Sequence, residues 1–235
     1  MASASTQAIL RLSNECGSLE TLLKLSLLSD EALVLFQGFA SEHLFVPNQT
    51  IFEVGDPSQY WFLISSGVVR KYKTMTDDRR QIIGFSLPGE WIAPSAGDGF
   101  SFSADAIDAV KAYSFSRAPL TALLDRRPEI LARFHDLAGT QLAAAEEHIL
   151  LLGRRRSEEK IACFLLTMRE RWAQVGKRSI TVHLPMSRCD IGDYLGVTTE
   201  TVSRTLARFA REGIILPVPE GIRLLDVGRL EQRCG

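Results

Sequence analysis

Three side chains within five residues, Glu200, Ser203 and Arg204, carry the chemistry that stands out in this chain. Steps of three and four place them on one face if the segment is helical. Arg204 can donate two hydrogen bonds to guanine O6 and N7. Glu200 can accept one from a cytosine amino group, and Ser203 is small and adaptable. A carboxylate in a DNA groove is repelled by phosphates unless it meets a base donor or orients a neighbouring guanidinium, so Glu200 is informative. A Glu and an Arg four residues apart also make an ordinary solvated pair, which is the plain alternative. Arg188, Thr199, Thr201 and Arg208 are placed for backbone phosphates. Cys189 adds a thiol at an expected helix start, where unpaired N–H groups, the helix dipole and the neighbouring Arg188 favour a thiolate. A sulfinate or mixed disulfide there would set charge or bulk against DNA, which makes Cys189 a candidate oxidation switch. A small residue tolerated beside DNA explains it equally well.

The elements that must position these groups are legible around them. "MSRCDIGDYLGVTTETVSRTL", residues 186–206, reads as helix, turn, helix. Ser187 is a good N-cap, and Asp190 three residues on completes an approximate capping box. Ile191, Tyr194 and Leu195 supply an apolar face, and Gly196 ends the first helix. Thr198 or Thr199 caps the second, which turns Val202, Leu206 and Phe209 inward. "GIILPVPEGIRLL" then reads as two short strands around a turn, a wing.

Upstream, Pro128 suits a first helical turn. Leu131, Phe134, Ala138, Gln141, Ala145, His148 and Leu152 follow in alternating steps of three and four, the seam of a two-stranded coiled coil. The seam predicts a homodimer, as a two-fold DNA reader requires; a helix packed on its own β-domain is the alternative. "GRRRSEEK" breaks the pattern and marks a hinge. Residues 44–116 contain short runs such as "YWFLISSGVVRKYK" and "AIDAVKAYSFS", separated by turn signals at Asp56-Pro57, Ser66-Gly67, Asp77-Asp78, Pro88-Gly89 and Gly97-Asp98-Gly99. That spacing predicts a β-sandwich or barrel. The expected organisation is α+β: lead-in helices over 1–40, a β-domain over 41–126, a dimerisation helix over 127–153 and a reader domain over 154–235.

Composition agrees. Residues 150–235 hold 15 Lys/Arg against 10 Asp/Glu, and the preceding chain 12 against 18, so a basic end on an acidic body favours a polyanion as partner. No apolar run reaches the roughly 20 residues that span a bilayer. The first residues lack a basic and then apolar leader, so no membrane partner and a cytoplasmic location are expected. Cys16, Cys163, Cys189 and Cys234 are far apart, so neither a zinc nor an iron–sulfur site is written locally. In the cytosol a disulfide is not expected either. GxSxG, HExxH, P-loop and GxGxxG patterns are missing, and catalysis is not expected.

"LPMSRCDIGDYLGVTTETVSRTL" closely resembles the DNA-binding motif of the CRP/FNR family of bacterial transcription regulators, and "MSR-DI-DYLG" with "ETVSR" resembles its FNR and FixK branch most. The resemblance covers the whole chain. It implies an N-terminal β-roll like that of cyclic-nucleotide-binding proteins, a long dimerisation helix and a C-terminal winged helix–turn–helix. It further implies that Glu200, Ser203 and Arg204 read TTGA-N6-TCAA palindromes in double-stranded DNA, and that an activator of low-oxygen or nitrogen-fixation genes meets RNA polymerase. Cyclic-nucleotide members follow a Gly-Glu with Arg-Ser/Thr-Ala. Here Gly89-Glu90 is followed by Phe102-Ser103-Ala104, so a cyclic phosphate would be buried without its counter-charge. Cluster-holding members need grouped N-terminal cysteines, where this chain has Cys16. Haem needs an axial histidine, and His43, His135, His148 and His183 stand in no telling context. No cofactor is expected. "TDDRRQIIGFSLPGEW" resembles the FixK stretch, whereas "WIAP" departs from that branch's "FGLE". Gating by an unidentified small molecule in the β-roll remains the alternative.

Overall fold

The computed structural model describes residues 19–25, 35–76, 79–94, 97–154, 156–175, 179–219 and 221–235. It divides into two compact units, Met1–Gln141 and Leu142–Gly235. Among the described residues no helix is long and apolar enough to cross a membrane, and no group of three His, Cys, Asp or Glu side chains could hold a metal ion.

The first unit begins with α1 (Leu19–Leu25); the rest of the expected lead-in lies partly outside the described residues. Eight strands follow: β1 (Ala40–Phe45), β2 (Thr50–Phe52), β3 (Tyr60–Ser66), β4 (Val69–Thr74), β5 (Arg80–Ser86), β6 (Trp91–Ile92), β7 (Ser103–Ala106) and β8 (Val110–Ser116). They make two antiparallel sheets, ordered β1-β8-β3-β6 and β2-β7-β4-β5, a jelly roll. The Ser66-Gly67 signal is a tight turn between β3 and β4. Gly67 has φ +76°, and a Cβ there would lie 2.4 Å from the Ala109 carbonyl oxygen. Phe52, Phe62, Ile64, Val69 and Ala104 fill one part of the core. Phe36, Trp91, Phe115 and Leu120 fill the other. The Asp77-Asp78 signal lies outside the described residues.

Two helices follow the roll, α2 (Arg117–Arg126) and the long α3 (Pro128–Arg154). The first turns of α3 belong to the roll's core. Phe134 is 7 % exposed, stacks on Phe36 and meets Trp61 and Trp91 edge-on. Leu131 packs against the same cluster. Placing Phe134 on a dimer seam is therefore corrected: burying an aromatic among three others stabilises more than exposing it on a helix surface.

The second unit holds the end of α3, α4 (Ser157–Gln174), β9 (Thr181–His183), α5 (Arg188–Leu195), α6 (Thr199–Arg211), β10 (Ile215–Val218), β11 (Gly221–Leu224) and α7 (Val227–Cys234). The wing strands join β9 in a sheet ordered β10-β11-β9. Ile161, Leu165 and Met168 of α4 are buried here with Val202, Leu206 and Phe209 of α6 and Leu230 of α7. Packing α7 on α4 brings Cys163 and Cys234 to a Cα separation of 4.9 Å, and they form a disulfide. This corrects the expectation of no disulfide.

Candidate nucleic-acid interface

The reader is built by local rules. The Ser187 hydroxyl accepts from the Asp190 N–H at 3.0 Å, and the Asp190 carboxylate accepts in turn from the Ser187 N–H at 3.0 Å, a complete capping box. Gly196 ends α5 in the left-handed conformation, φ 62° and ψ 42°. Gly192 is required by closeness: a Cβ there would stand 2.7 Å from the Val197 carbonyl oxygen, so the turn can fold back tightly. Thr198 caps α6, its hydroxyl accepting from the Thr201 N–H at 3.2 Å. Val202, Leu206 and Phe209 are buried as the periodicity predicts.

This leaves Glu200, Ser203 and Arg204 exposed together on the outer face of α6. The side chains of Arg204 and Glu200 are 70 % and 75 % exposed, and they approach to 3.5 Å. An exposed pair of this kind contributes under about 1 kcal/mol, so both groups can leave it for base edges at little cost. Thr199 is also exposed. Thr201 is tied into the cap, its hydroxyl 2.9 Å from that of Thr198. Arg188 is half-buried, and burial pulls its guanidinium below the usual arginine range. Cys189 is a free, exposed thiol at the second residue of α5.

Arg208 forms an ion pair with Glu158 of α4, and its Nε is buried with no hydrogen-bond partner among the described residues. Glu158 also pairs with Arg233 of α7, which reaches Glu212 at 2.9 Å. Arg208 thus helps to lock three helices, while its side chain stays 42 % exposed. Its partner lies fifty residues away in sequence, so no local pattern could reveal the pair.

The remaining seam residues divide. Gln141 is exposed but donates to the Trp91 carbonyl at 3.1 Å. His148 stacks on Tyr194 of α5, ring centres 4.0 Å apart and planes 9° from parallel. Leu152 is partly buried near Gly196. Ala138 and Ala145 stay exposed. Leu142, Ile149 and Leu150 of α3 are left without cover, 61 %, 67 % and 57 % exposed, and Leu142 and Ile149 share one face. With Ala138 and Ala145 they form a run of steps of four, three and four, one residue out of phase with Phe134, Gln141 and His148.

The fold and reader have clear relatives. Residues 42–127 match the cyclic nucleotide-binding domain, and residues 159–233 the Crp-like helix-turn-helix domain. The chain is 45% identical over 195 residues to the nitrogen fixation regulation protein FixK of Bradyrhizobium diazoefficiens, covering 81% of this chain and 82% of that one. It is 41% identical over 196 residues to the transcriptional activatory protein AadR of Rhodopseudomonas palustris, covering 83% and 82%. Among solved structures, FixK2 from Bradyrhizobium japonicum superposes with a TM-score of 0.78 at 34% identity, over 83% of this chain and 98% of that one. These relatives are transcription regulators, not enzymes, and with them this chain belongs to the CRP/FNR family of DNA-binding transcription regulators.

Proposed function

We propose that the protein is a FixK-type activator that binds TTGA-N6-TCAA palindromes as a homodimer, with no cyclic nucleotide, iron–sulfur cluster or other cofactor. The observation that carries this reading is the exposed Glu200–Ser203–Arg204 face on a doubly capped helix pair. Arg204 donates to a guanine, Glu200 accepts from a base amino group, and Ser203 adapts between them. Thr199 and Arg188 meet the phosphates on either side. The second copy docks along Ala138, Leu142, Ala145 and Ile149. The dimer works in the cytoplasm, recruits RNA polymerase and serves low-oxygen or nitrogen-fixation genes; for nitrogen fixation the support is the name of the FixK relative. Oxidation of the exposed Cys189 thiol ends DNA binding, because a charged or bulky sulfur there would face phosphate.

Independence from cyclic nucleotide is supported by what fills the roll. Phe102 packs edge-on against Phe52 at 5.6 Å, with Lys71 6.0 Å from its ring. The Glu90 carboxylate accepts from the Leu87 N–H. Arg70 pairs with the buried Asp105 at 3.0 Å, and the Tyr72 hydroxyl meets the same carboxylate. Burial, followed by the Asp105 charge, raises the Tyr72 pKa, so the phenol stays a neutral donor. The second reading, gating by a small molecule, draws on a different feature: an open cleft of about 860 Å³ between Pro57–Tyr60 and α2, which contributes Arg117 and Asp125 to its lining. Arg117 already donates there to the Ser58 hydroxyl and the Gly97 carbonyl.

Arg204→Ala tests the reading. It should weaken binding to the palindrome by about 1–3 kcal/mol and relax the preference at the half-site guanine. Fluorescence anisotropy on duplexes changed at that base measures both. Equal losses on specific and random DNA would reduce Arg204 to a phosphate contact.

A further inference from the structure

Three consecutive residues, Tyr194, Leu195 and Gly196, form the end of α5 and the turn into the reading helix, and each is held by a different side chain from outside the helix–turn–helix. His148 of α3 stacks on Tyr194, whose ring centre also lies 5.8 Å from that of Phe164 of α4. Lys160 of α4 is 8 % exposed, and its ammonium donates to the Leu195 carbonyl at 3.2 Å. Leu152 of α3 lies against Gly196, its Cδ2 3.4 Å from the point where a Cβ would stand. A buried ammonium is costly unless it is hydrogen-bonded, and here it satisfies a helix-end carbonyl that has no partner within its own helix. Contacts at three successive positions, with Leu195 itself buried, restrain the turn from tilting.

The stretch of α3 that carries His148 and Leu152 also carries the uncovered Leu142 and Ile149. We propose that His148, Lys160 and Leu152 are positioning residues, a clasp that fixes the reading helix to the dimerisation helix and so sets the spacing between half-sites that the dimer accepts. This rests on the dimeric reading above. Two readers joined through one helix pair can select a centre-to-centre distance only if each reader is rigid with respect to that pair. The turn where α5 passes into α6 is where such rigidity matters most.

The clasp is sensitive to protons. Burial is the largest influence on His148 and holds its pKa below the usual histidine value. A backbone hydrogen bond with Tyr194 of α5 opposes this, and the Lys160 charge of α4 adds to it. The folded state therefore favours the neutral ring. The clasp is fully formed above the unfolded histidine pKa, about 6.5. It loosens as pH falls through that value toward the folded one, where an imidazolium would sit beside Lys160.

The test uses the full chain on palindromes with five, six and seven central base pairs. Wild type should prefer one spacing, and His148→Ala should lose roughly fivefold or more of that preference while retaining its dimer mass. His148→Phe keeps an aromatic ring on Tyr194 but has no proton to gain. It should retain spacing selectivity and lose the fall in affinity between pH 7 and pH 5.5. His148→Ala with wild-type selectivity, or His148→Phe with the wild-type pH profile, would overturn the clasp. A DNA-free arm separates this from failure of the palindrome reading. By NMR, His148 should titrate below its usual value in wild type and return toward it in Tyr194→Ala. An unchanged titration would count against the clasp whatever DNA the protein binds.

Discussion

A chain carrying both Leu142→Glu and Ile149→Glu should sediment as a monomer and bind a TTGA-N6-TCAA duplex roughly 10²–10⁴-fold more weakly than wild type. The uncovered face of α3 has one length of helix to offer, and its largest apolar groups are these two. In a symmetric pair each glutamate would face its own copy across the axis, so the variant adds like charges as it removes apolar area. Binding through one reader then loses the gain of the second, tethered contact. The fold itself should survive, because neither side chain is buried. Analytical ultracentrifugation with anisotropy on the same sample measures both effects. A dimer that persists, or a monomer of undiminished affinity, would remove this face from the account.

Cys234→Ser should lower the unfolding free energy of the second unit by about 3 kcal/mol, a drop in Tm of the order of 15 °C. The bond from Cys163 to Cys234 closes a loop with a sequence separation of 71, which contains α5, α6 and the wing. Opening it releases the unfolded chain from that constraint. It also frees the end of α7, where Arg233 holds Glu158 and Glu212. Wild type treated with dithiothreitol should melt with the variant, and a melting curve indifferent to both changes would show the bond to be inert. The same variant separates the two sulfur sites. Peroxide should still end DNA binding in Cys234→Ser and should fail to do so in Cys189→Ser; loss of binding in both would exclude Cys189 as the switch.

What was legible in the sequence is what short range decides. Ser187 and Asp190 cap α5 across three residues, and Thr198 caps α6 within three more. Gly196 could be read as a helix stop because the left-handed conformation is cheap for glycine alone. The roll was visible in its turns and β-branched runs. The proposed dimer face lies one residue out of phase with the seam expected from periodicity. Two overlapping heptad registers share Ala138, Ala145 and Leu152, and periodicity cannot choose between them. The proposed register rests on Phe36, Trp61 and Trp91, which claim Phe134, and on Tyr194, which claims His148. Long range likewise hid the Arg208–Glu158 pair and the Cys163–Cys234 bond, since neither has any spacing rule to announce it.

The central claim is that this chain reads a defined palindrome without a ligand. The direct measurement is the affinity of purified, ligand-free wild-type protein for a TTGA-N6-TCAA duplex and for a scrambled duplex of the same composition, at one fixed salt concentration near physiological. The account predicts a Kd of roughly 10⁻⁸ M or tighter on the palindrome and at least about 10³-fold weaker binding to the scramble. Equal affinity for the two duplexes, or selective binding that emerges only when small-molecule cell extract is added, would contradict it.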